Sequence, residues 1–367
     1  MKITAAVVPS KNAPFELREL ELEGAGPGEV LIRMVATGVC HTDQVIREQY
    51  VPVPLPAVLG HEGAGVVEQV GDGVQHVAPG DHVVLSFNSC GLCAACMSGA
   101  PGYCSDFGDR NFGGHRPDGT TALRSGDAPI SSHFFGQSSF ATHAVVSARS
   151  VVKVPTDVPL NILGPLGCGI QTGAGAVLNS LDPAAGATIA VFGAGAVGDA
   201  AILAAQVAAC STIIAVDRVP QRLDFARDLG ATHVIDVSDE DPVERIKELT
   251  GGNGVDYALE TTGVPSVLRQ AVDSLAVRGV AGLLGQAPIG SEVAFETGAS
   301  LVRGWTLTTI VEGDAVPQLF IPRLIELYRA GRFPFDRLIK HYPFADIEKA
   351  FSDSENGTTV KPVLTFS

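Results

Sequence analysis

Up to about residue 150, short apolar runs alternate with turns rich in glycine and proline. The runs at 30–35, 65–70, 82–85 and 141–146 are dominated by β-branched and other apolar residues and predict strands. Glycine-containing turns at 71–73 and 79–81 separate them. This pattern is typical of a mostly antiparallel, barrel-like β domain.

From about residue 170 onward, predicted strands and helices alternate. Strands are expected at 188–192, 212–216, 233–236, 257–260 and 280–284, and helices at 196–209 and 221–229. Such alternation predicts βαβ units and a doubly wound parallel sheet. After Trp305 the pattern predicts a helix near 321–330 and a closing strand at 360–366, and it assigns this segment to neither domain.

Composition supports two folded domains and narrows the range of partners. The 367 residues are long for one hydrophobic core, and 46% of them are hydrophobic. A net charge of −15 argues against nucleic acid or an anionic membrane as a partner. The N-terminal apolar run is too short for a signal peptide, and the glycine-rich stretch 184–216 fits a buried strand–helix–strand better than a membrane span. We therefore expect a cytoplasmic protein.

A glycine-rich turn joins the strand at 188–192 to the helix that follows it. It has the pattern G-x-G-x-x-G and consists of Gly193, Ala194, Gly195, Ala196, Val197 and Gly198. In a dinucleotide site such glycines make the turn, admit the pyrophosphate and pack the helix, whose N-terminus attracts the phosphates. Asp217 ends the next strand, where a carboxylate binds the adenosine ribose and repels the extra phosphate of NADP. NAD is thus predicted, with Arg218 leaving NADP as an alternative.

Four of the seven cysteines lie close together in the sequence. Cys90, Cys93, Cys96 and Cys104 have the spacing C-x2-C-x2-C-x7-C. Four thiolates suit a structural zinc ion with no open position. An iron–sulfur cluster is the alternative, but its fourth cysteine usually follows after three residues and precedes proline, whereas Cys104 precedes Ser105. Structural zinc is favoured over the cluster and over inert thiols.

Three further motifs link the whole chain to a known family. They are GVCHTD around Cys40, GHEG around His61 and GCG around Cys168. Together with the four cysteines and the glycine-rich turn, they make the sequence resemble the zinc-dependent medium-chain alcohol dehydrogenases. Within that family it is most similar to the bacterial aryl (benzyl) alcohol dehydrogenases, in the stretches GHEGAGVVE, FFGQSSFAT, LGPLGCGIQTGAG, FGAGAVG and FIPRLIELYRAGRFPFDRLIK.

The resemblance implies an α/β protein with two domains. A GroES-like, mostly antiparallel β-barrel catalytic domain is expected at 1–169, with the structural zinc lobe at about 88–106. An NAD-binding Rossmann domain is expected at 170–305, and a C-terminal segment, 306–367, is expected to return to the catalytic domain. The family also implies a homodimer or homotetramer.

The resemblance further implies a catalytic zinc held by Cys40, His61 and Cys168, with water, alcohol or Glu62 as the fourth ligand. Asp43 would hold the His61 ring through its other nitrogen. Thr42 would start a proton relay from the bound alcohol. Many relatives end that relay in a histidine where this chain has Val45, so the final acceptor stays open, with water reached through the ribose as the simplest substitute.

The remaining cofactor contacts are also implied by the resemblance. His41 and Lys361 match positions that contact the pyrophosphate, Arg222 matches a position near the adenosine ribose, and Thr172 matches one near the nicotinamide amide. An ordinary surface role is the alternative for His41, Lys361 and Arg222. Cys210 has no comparable partner and is expected in the core.

Around the alcohol, the resemblance places apolar residues at Val51, Phe87, Phe134 and Ile310. Such a slot favours an aryl primary alcohol, although core packing would explain each residue too. We expect its reversible oxidation to the aldehyde, with hydride transfer from a zinc-bound alkoxide to NAD. The alternatives are an allylic terpene alcohol, a polyol or glutathione adduct, and, from another class, a non-catalytic zinc-stabilised NAD-binding module.

Overall fold

The computed structural model describes residues 1–366, which group into two compact units. The β unit comprises Met1–Cys168, Val316–Ile325 and the residues from Ile339 on. The parallel-sheet unit comprises Gly169–Ala315 and Glu326–Leu338. Within residues 1–366, no helix has the length and apolar character needed to cross a membrane.

The secondary structure comprises strands and mostly short helices. The strands are β1 (Lys2–Val8), β2 (Glu16–Leu22), β3 (Glu29–Gly38), β4 (Ala57–Val58), β5 (Gly63–Val70), β6 (His82–Leu85), β7 (Leu123–Ser125), β8 (Ala128–Ile130), β9 (His143–Ser147), β10 (Val151–Lys153), β11 (Thr188–Phe192), β12 (Thr212–Asp217), β13 (His233–Asp236), β14 (Val255–Glu260), β15 (Leu275–Leu283), β16 (Thr306–Thr309), β17 (Ile339–Pro343) and β18 (Lys361–Thr365). The α-helices are α1 (His41–Arg47), α2 (Ala94–Met97), α3 (Phe107–Phe112), α4 (Gly169–Gly175), α5 (Ala196–Val207), α6 (Pro220–Leu229), α7 (Pro242–Leu249), α8 (Pro265–Asp273), α9 (Thr297–Arg303), α10 (Pro317–Arg329) and α11 (Ile347–Glu355).

Two sheets form the β unit. One has the order β4-β1-β2-β7-β8, and the other has the order β10-β6-β5-β3-β18-β17, with β9 also paired to β3. Every pairing is antiparallel except that of β17 with β18. The predicted antiparallel β domain is confirmed. The pairing of β18 with β3 joins Val363 to Gly38 and so brings the last strand beside the start of α1.

One sheet forms the centre of the parallel-sheet unit. Its order is β13-β12-β11-β14-β15-β16, and all its pairings are parallel. Because the strand order reverses between β11 and β14, the carboxyl ends of these strands border the crevice where such sheets bind ligands. The apolar residues of the sheet pack with α7 and α8 residues such as Ile246 and Val272. The predicted doubly wound fold is confirmed.

The C-terminal region divides differently from the predicted boundary at 305/306. Strand β16 pairs with β15 and extends the parallel sheet, so residues up to Ala315 belong to that unit. Residues from Glu326 to Leu338 return to it, while β17 and β18 join the β unit. Strand β16 has only four residues, TLTT, and lacks the apolar run by which the other strands are recognised in the sequence.

Candidate functional site

A buried carboxylate connects the start of α1 with His61. Asp43 is fully buried, and its Oδ2 accepts a hydrogen bond from the Cys40 amide at 3.2 Å. Its Oδ1 accepts from the Gly60 amide at 3.0 Å and lies 3.0 Å from His61 Nδ1. The carboxylate favours a proton on Nδ1, which leaves the lone pair of the imidazole on Nε2. The structure thus places the Asp43 carboxylate against His61 Nδ1, the contact that the resemblance implies.

Four potential metal ligands converge beside this pair. Cys40, His61, Glu62 and Cys168 each offer one ligand atom, and these atoms all lie within 4.8 Å of one another. The Nε2 atom of His61 is buried and has no hydrogen-bond partner within residues 1–366. Two thiolates and one imidazole form the donor set of a catalytic zinc site with an open position. The orphaned nitrogen and this donor set fit zinc.

The electrostatic environment favours the metal-binding form of Cys40. Its hydrogen bond with Cys168, helped by the charge of His61, lowers the pKa of the Cys40 thiol well below its usual value, although burial opposes this. The thiolate is the form that binds metal. The Oγ1 atom of Thr42 lies 3.6 Å from Cys40 Sγ, so the hydroxyl expected to start the proton relay is next to a proposed zinc ligand.

Glu62 and Lys361 form a buried ion pair. The Lys361 ammonium donates to both carboxylate oxygens of Glu62 at 2.9 Å and to the Val39 carbonyl at 3.1 Å, and it is 2% exposed. Although burial lowers the pKa of Lys361, the charge of Glu62 outweighs it and raises the pKa. Gly38 makes room for the pair, because a Cβ there would lie 1.9 Å from Glu62 Oε2. The resemblance implies a pyrophosphate contact for Lys361, whereas here its ammonium is bonded inside the β unit.

The segment FFGQSS forms one wall of this site, and sequence reasoning missed two of its members. The Phe135 ring stacks on the His61 ring at 4.6 Å, and the Phe134 ring meets it edge-on at 5.5 Å. The Gln137 amide donates to the His61 carbonyl at 2.9 Å and accepts from the Gly63 amide at 3.1 Å. Phe135 and Gln137 lie in the stretch FFGQSSFAT, which resembles the family, but the sequence does not show which of its residues contact His61.

The four residues expected around the substrate are placed in different parts of the structure. In the β unit, Phe87 and Phe134 are buried and Val51 is half-buried, and all three pack with the main apolar cluster. Ile310 is buried in the parallel-sheet unit. The structure shows ordinary packing contacts for each.

The four-cysteine lobe also has the geometry of a metal site. The sulfur atoms of Cys90, Cys93, Cys96 and Cys104 lie within 4.8 Å of one another. Backbone amides of Leu92 and Cys93 donate to Cys90 Sγ at 3.4 and 3.3 Å. Backbone amides also lower the pKa of the Cys93 thiol to about 6, whereas burial raises that of Cys104 to about 11. Zinc requires all four as thiolates, and the amides compensate part of the negative charge.

The predicted dinucleotide turn has the expected backbone. Gly193 has φ +100°, and a Cβ on Gly198 would lie 1.8 Å from the Gly193 carbonyl oxygen, so both positions need glycine. A Cβ on Gly195, the residue before α5, would meet nothing within 4 Å. That open space beside a helix N-terminus fits a pyrophosphate. The carboxylate of Asp217 accepts from the Ala194 amide at 2.7 Å and so supports the turn itself.

The other predicted cofactor residues lie as follows. Arg218 is exposed next to Asp217, and Arg222 is half-buried on α6. The Thr172 hydroxyl on α4 lies 3.4 Å from Glu312 Oε2, a partner that sequence reasoning missed. His41 is exposed at the first position of α1. Cys210 is only half-buried, and burial raises the pKa of its thiol to about 11, as suits an inert thiol.

Comparison with known proteins agrees with this architecture. A model described as Alcohol dehydrogenase GroES-like domain matches residues 26–156, and one described as Zinc-binding dehydrogenase matches residues 196–328. Geraniol dehydrogenase of Castellaniella defragrans is 46% identical over 99% of this chain and 97% of its own. The crystal structure of benzyl alcohol dehydrogenase from Acinetobacter calcoaceticus is 48% identical, covers both chains completely and superposes with a TM-score of 0.97.

A solved zinc-binding-domain alcohol dehydrogenase from Burkholderia ambifaria is 53% identical, covers 100% of this chain and 99% of its own, and gives a TM-score of 0.98. A GroES-like domain combined with a Rossmann-type sheet defines the medium-chain dehydrogenases. The chain belongs to the zinc-dependent alcohol dehydrogenases of that class, which use zinc and NAD.

Proposed function

We propose that this alcohol dehydrogenase oxidises aryl primary alcohols of the benzyl type to their aldehydes, reversibly and with NAD. The observation that supports a catalytic role is the convergence of Cys40, His61 and Cys168 around an orphaned His61 nitrogen. A non-catalytic NAD-binding module would have no need for this donor set. The 48% identical benzyl alcohol dehydrogenase supports the aryl class.

Cys40, His61 and Cys168 would hold the catalytic zinc. When bound, zinc supplies Lewis-acid chemistry that makes an alcohol acidic enough to ionise near neutral pH. Asp43 keeps the His61 Nδ1 protonated and its Nε2 available. Thr42 would take the alcohol proton into the relay, and with Val45 in place of a terminal histidine, water is the proposed acceptor.

Lys361 would keep Glu62 from serving as a permanent fourth ligand. Both carboxylate oxygens of Glu62 are bonded to the same ammonium, so Glu62 would not compete with water or alcohol when zinc is bound. We therefore propose that Lys361 acts at the zinc site. A contact with the pyrophosphate would require its ammonium to leave Glu62. Glu62 would stay within the group of four potential ligands while the ammonium holds it.

On the parallel-sheet unit, NAD would bind the turn from Gly193 to Gly198 with its pyrophosphate at the start of α5. Asp217 would accept hydrogen bonds from the adenosine ribose and disfavour NADP, while Arg222 would flank the ribose and Arg218 would weaken the discrimination. Thr172 would pack near the nicotinamide amide, and His41 would contact the pyrophosphate. When bound, NAD supplies the hydride acceptor.

The substrate assignment is tested by initial rates across an aryl, a terpene and an aliphatic alcohol, each with NAD and NADP. We expect kcat/KM for benzyl alcohol with NAD to exceed that for 1-butanol by roughly tenfold or more, because an aromatic ring has more apolar surface to bury than the short aliphatic chain. Geraniol is the second candidate, since the geraniol dehydrogenase is 46% identical. A higher kcat/KM for geraniol than for benzyl alcohol would replace the aryl proposal with the terpene one.

We also propose a homodimer or homotetramer joined through the β16 edge of the parallel sheet. Strand β16 pairs with β15 on one side and with no other strand within residues 1–366. Leu301 and Val302 on the preceding helix are 84% and 77% exposed. The test is the mass of the protein in solution. Val302→Asp should reduce this mass to that of one chain. Leu319→Asp changes another exposed apolar residue as the control and should leave the mass unchanged. An unchanged mass for Val302→Asp contradicts this interface.

A further inference from the structure

The first turn of α5 contains a buried acid that the sequence analysis did not single out. Asp199 follows Gly198 directly and is fully buried. Neither of its carboxylate oxygens has a hydrogen-bond partner within residues 1–366. Burying an ionised carboxylate without a partner is costly, so such a group remains protonated. An acidic side chain is unexpected so close to a helix N-terminus that should bind phosphates, because its ionised form would repel them.

The charged neighbours of Asp199 are few. Its pKa is raised to about 8, first by burial and then by the charge of Asp217 on β12, while Arg222 on α6 opposes the rise. The other elements packed against this part of α5, β11 and α4, contain no titratable side chain. The remaining charged residues of α6 are exposed: Asp224, Arg227 and Asp228. The short helix Phe335–Leu338 also packs against α5; its Arg337 bonds to the Asp228 carbonyl at the far end of α6, and its Asp336 is half-buried.

We propose that Asp199 is a further determinant of dinucleotide binding, because its neutral carboxyl leaves the start of α5 attractive to the cofactor's phosphates and its ionised form repels them. The N-terminus of a helix carries roughly half a positive charge, and this is what phosphates bind there. A full negative charge in the same turn, shielded from water, cancels that potential. Asp217 lies near enough to add to the repulsion.

The proposal predicts a proton-linked affinity. Since phosphate binding favours the neutral carboxyl, binding above the Asp199 pKa must take up a proton. An extra phosphate on the adenosine ribose brings more negative charge toward Asp217 and Asp199, so NADP should lose more affinity than NAD as pH rises. The inference rests on NAD use alone and is independent of which alcohol is oxidised.

ADP-ribose is the probe, because it contains the pyrophosphate and both riboses but no nicotinamide ring that could respond to zinc. Calorimetric titration of the zinc-loaded protein at constant ionic strength should show Kd rising by about 3–10-fold between pH 7.5 and 9.5. Asp199→Asn should remove this rise, and Asp224→Asn, at an exposed acid of the same unit, should retain it. An equal rise in the wild type and in Asp199→Asn would overturn the proposal.

A second measurement avoids any dependence on the folding of the variants. Titrating ADP-ribose into the wild type at pH 8.5 in buffers of different ionisation enthalpy counts the protons exchanged. The proposal requires net proton uptake by the wild-type protein. No uptake in the wild type would overturn it. Failure of benzyl alcohol as a substrate leaves these binding results unaffected, so the two proposals fail separately.

Discussion

The Oδ1 atom of Asp43 accepts hydrogen bonds from both the Gly60 amide and His61 Nδ1 at 3.0 Å, with no part of the Asp43 or His61 side chain exposed. The carboxylate thereby fixes the backbone before His61 and the orientation of its ring together. The Asp43 side chain thus sets the orientation of the His61 ring and the direction in which its Nε2 atom points.

Removing this carboxylate should weaken metal binding and turnover together. Asp43→Ala deletes the acceptor for Cys40, Gly60 and His61, so we expect zinc affinity and kcat each to fall by about 10–100-fold. Zinc retention against a chelator and initial rates measure this. Asp72→Asn, at an exposed acid, is the control and should behave as the wild type. Wild-type zinc retention in Asp43→Ala would contradict the orienting role.

Cys168→Ser tests the catalytic ligand set. The hydroxyl is a much poorer zinc ligand than a thiolate, so zinc per chain should fall from about two to about one and turnover should cease. NADH binding should persist, because the glycine-rich turn lies elsewhere in the sequence. Cys210→Ser, at a cysteine outside both ligand groups, is the matched control. Retention of two zinc ions by Cys168→Ser would remove this residue from the proposed site.

The Glu62–Lys361 pair makes a stability prediction. Lys361→Met leaves a buried carboxylate without its counter-charge, so the free energy of unfolding should fall by about 3–5 kcal/mol. The double variant Glu62→Gln/Lys361→Met should recover most of that loss. Denaturant unfolding measures both. Lys2→Met breaks an exposed ion pair with Glu19 and should change stability by less than about 1 kcal/mol. A similarly small loss in Lys361→Met would show that the buried pair is dispensable.

Asp199 should make the cofactor-free protein less stable as pH rises. Its pKa is about 8 in the folded protein and near the ordinary aspartate value of 3.8 in the unfolded chain. Between these values the unfolded chain ionises and the folded protein does not, so the stability contribution is complete below pH 3.8 and is lost as pH rises through about 8. In urea titrations the advantage of Asp199→Leu over the wild type should therefore grow from pH 5 to pH 8. A constant difference would indicate that Asp199 ionises normally.

The sequence predicted those strands that have continuous apolar runs. The strands at His82–Leu85, Thr188–Phe192 and His233–Asp236 have the predicted bounds. Strand β2, ELRELEL, was missed because charged residues face solvent along one of its sides. Helices α7 and α8 begin after Asp241 and Val264 with proline at the first position, a signal that is present in the sequence but was not used.

Site residues were predictable where the motif itself contains the chemistry. Cysteine spacing indicated the lobe, and the GxGxxG turn indicated the dinucleotide site. The pairing of Lys361 with Glu62 was not predictable, because it depends on the register between β18 and β3, which no local pattern encodes. Asp199 lies in the stretch 184–216 that the sequence predicts to be buried, but the sequence does not show that its carboxylate lacks a hydrogen-bond partner among the described residues.

The partner of Glu62 lies 299 positions later in the sequence, whereas the four lobe cysteines lie within a single short stretch. During synthesis the lobe sulfurs leave the ribosome together and can capture zinc while most of the chain is still unmade. The catalytic pocket cannot be completed then, because Glu62 has no cation to neutralise it until β18 emerges and pairs with β3. The order of the chain therefore allows the four-cysteine lobe to be completed before the Glu62–Lys361 pair can form.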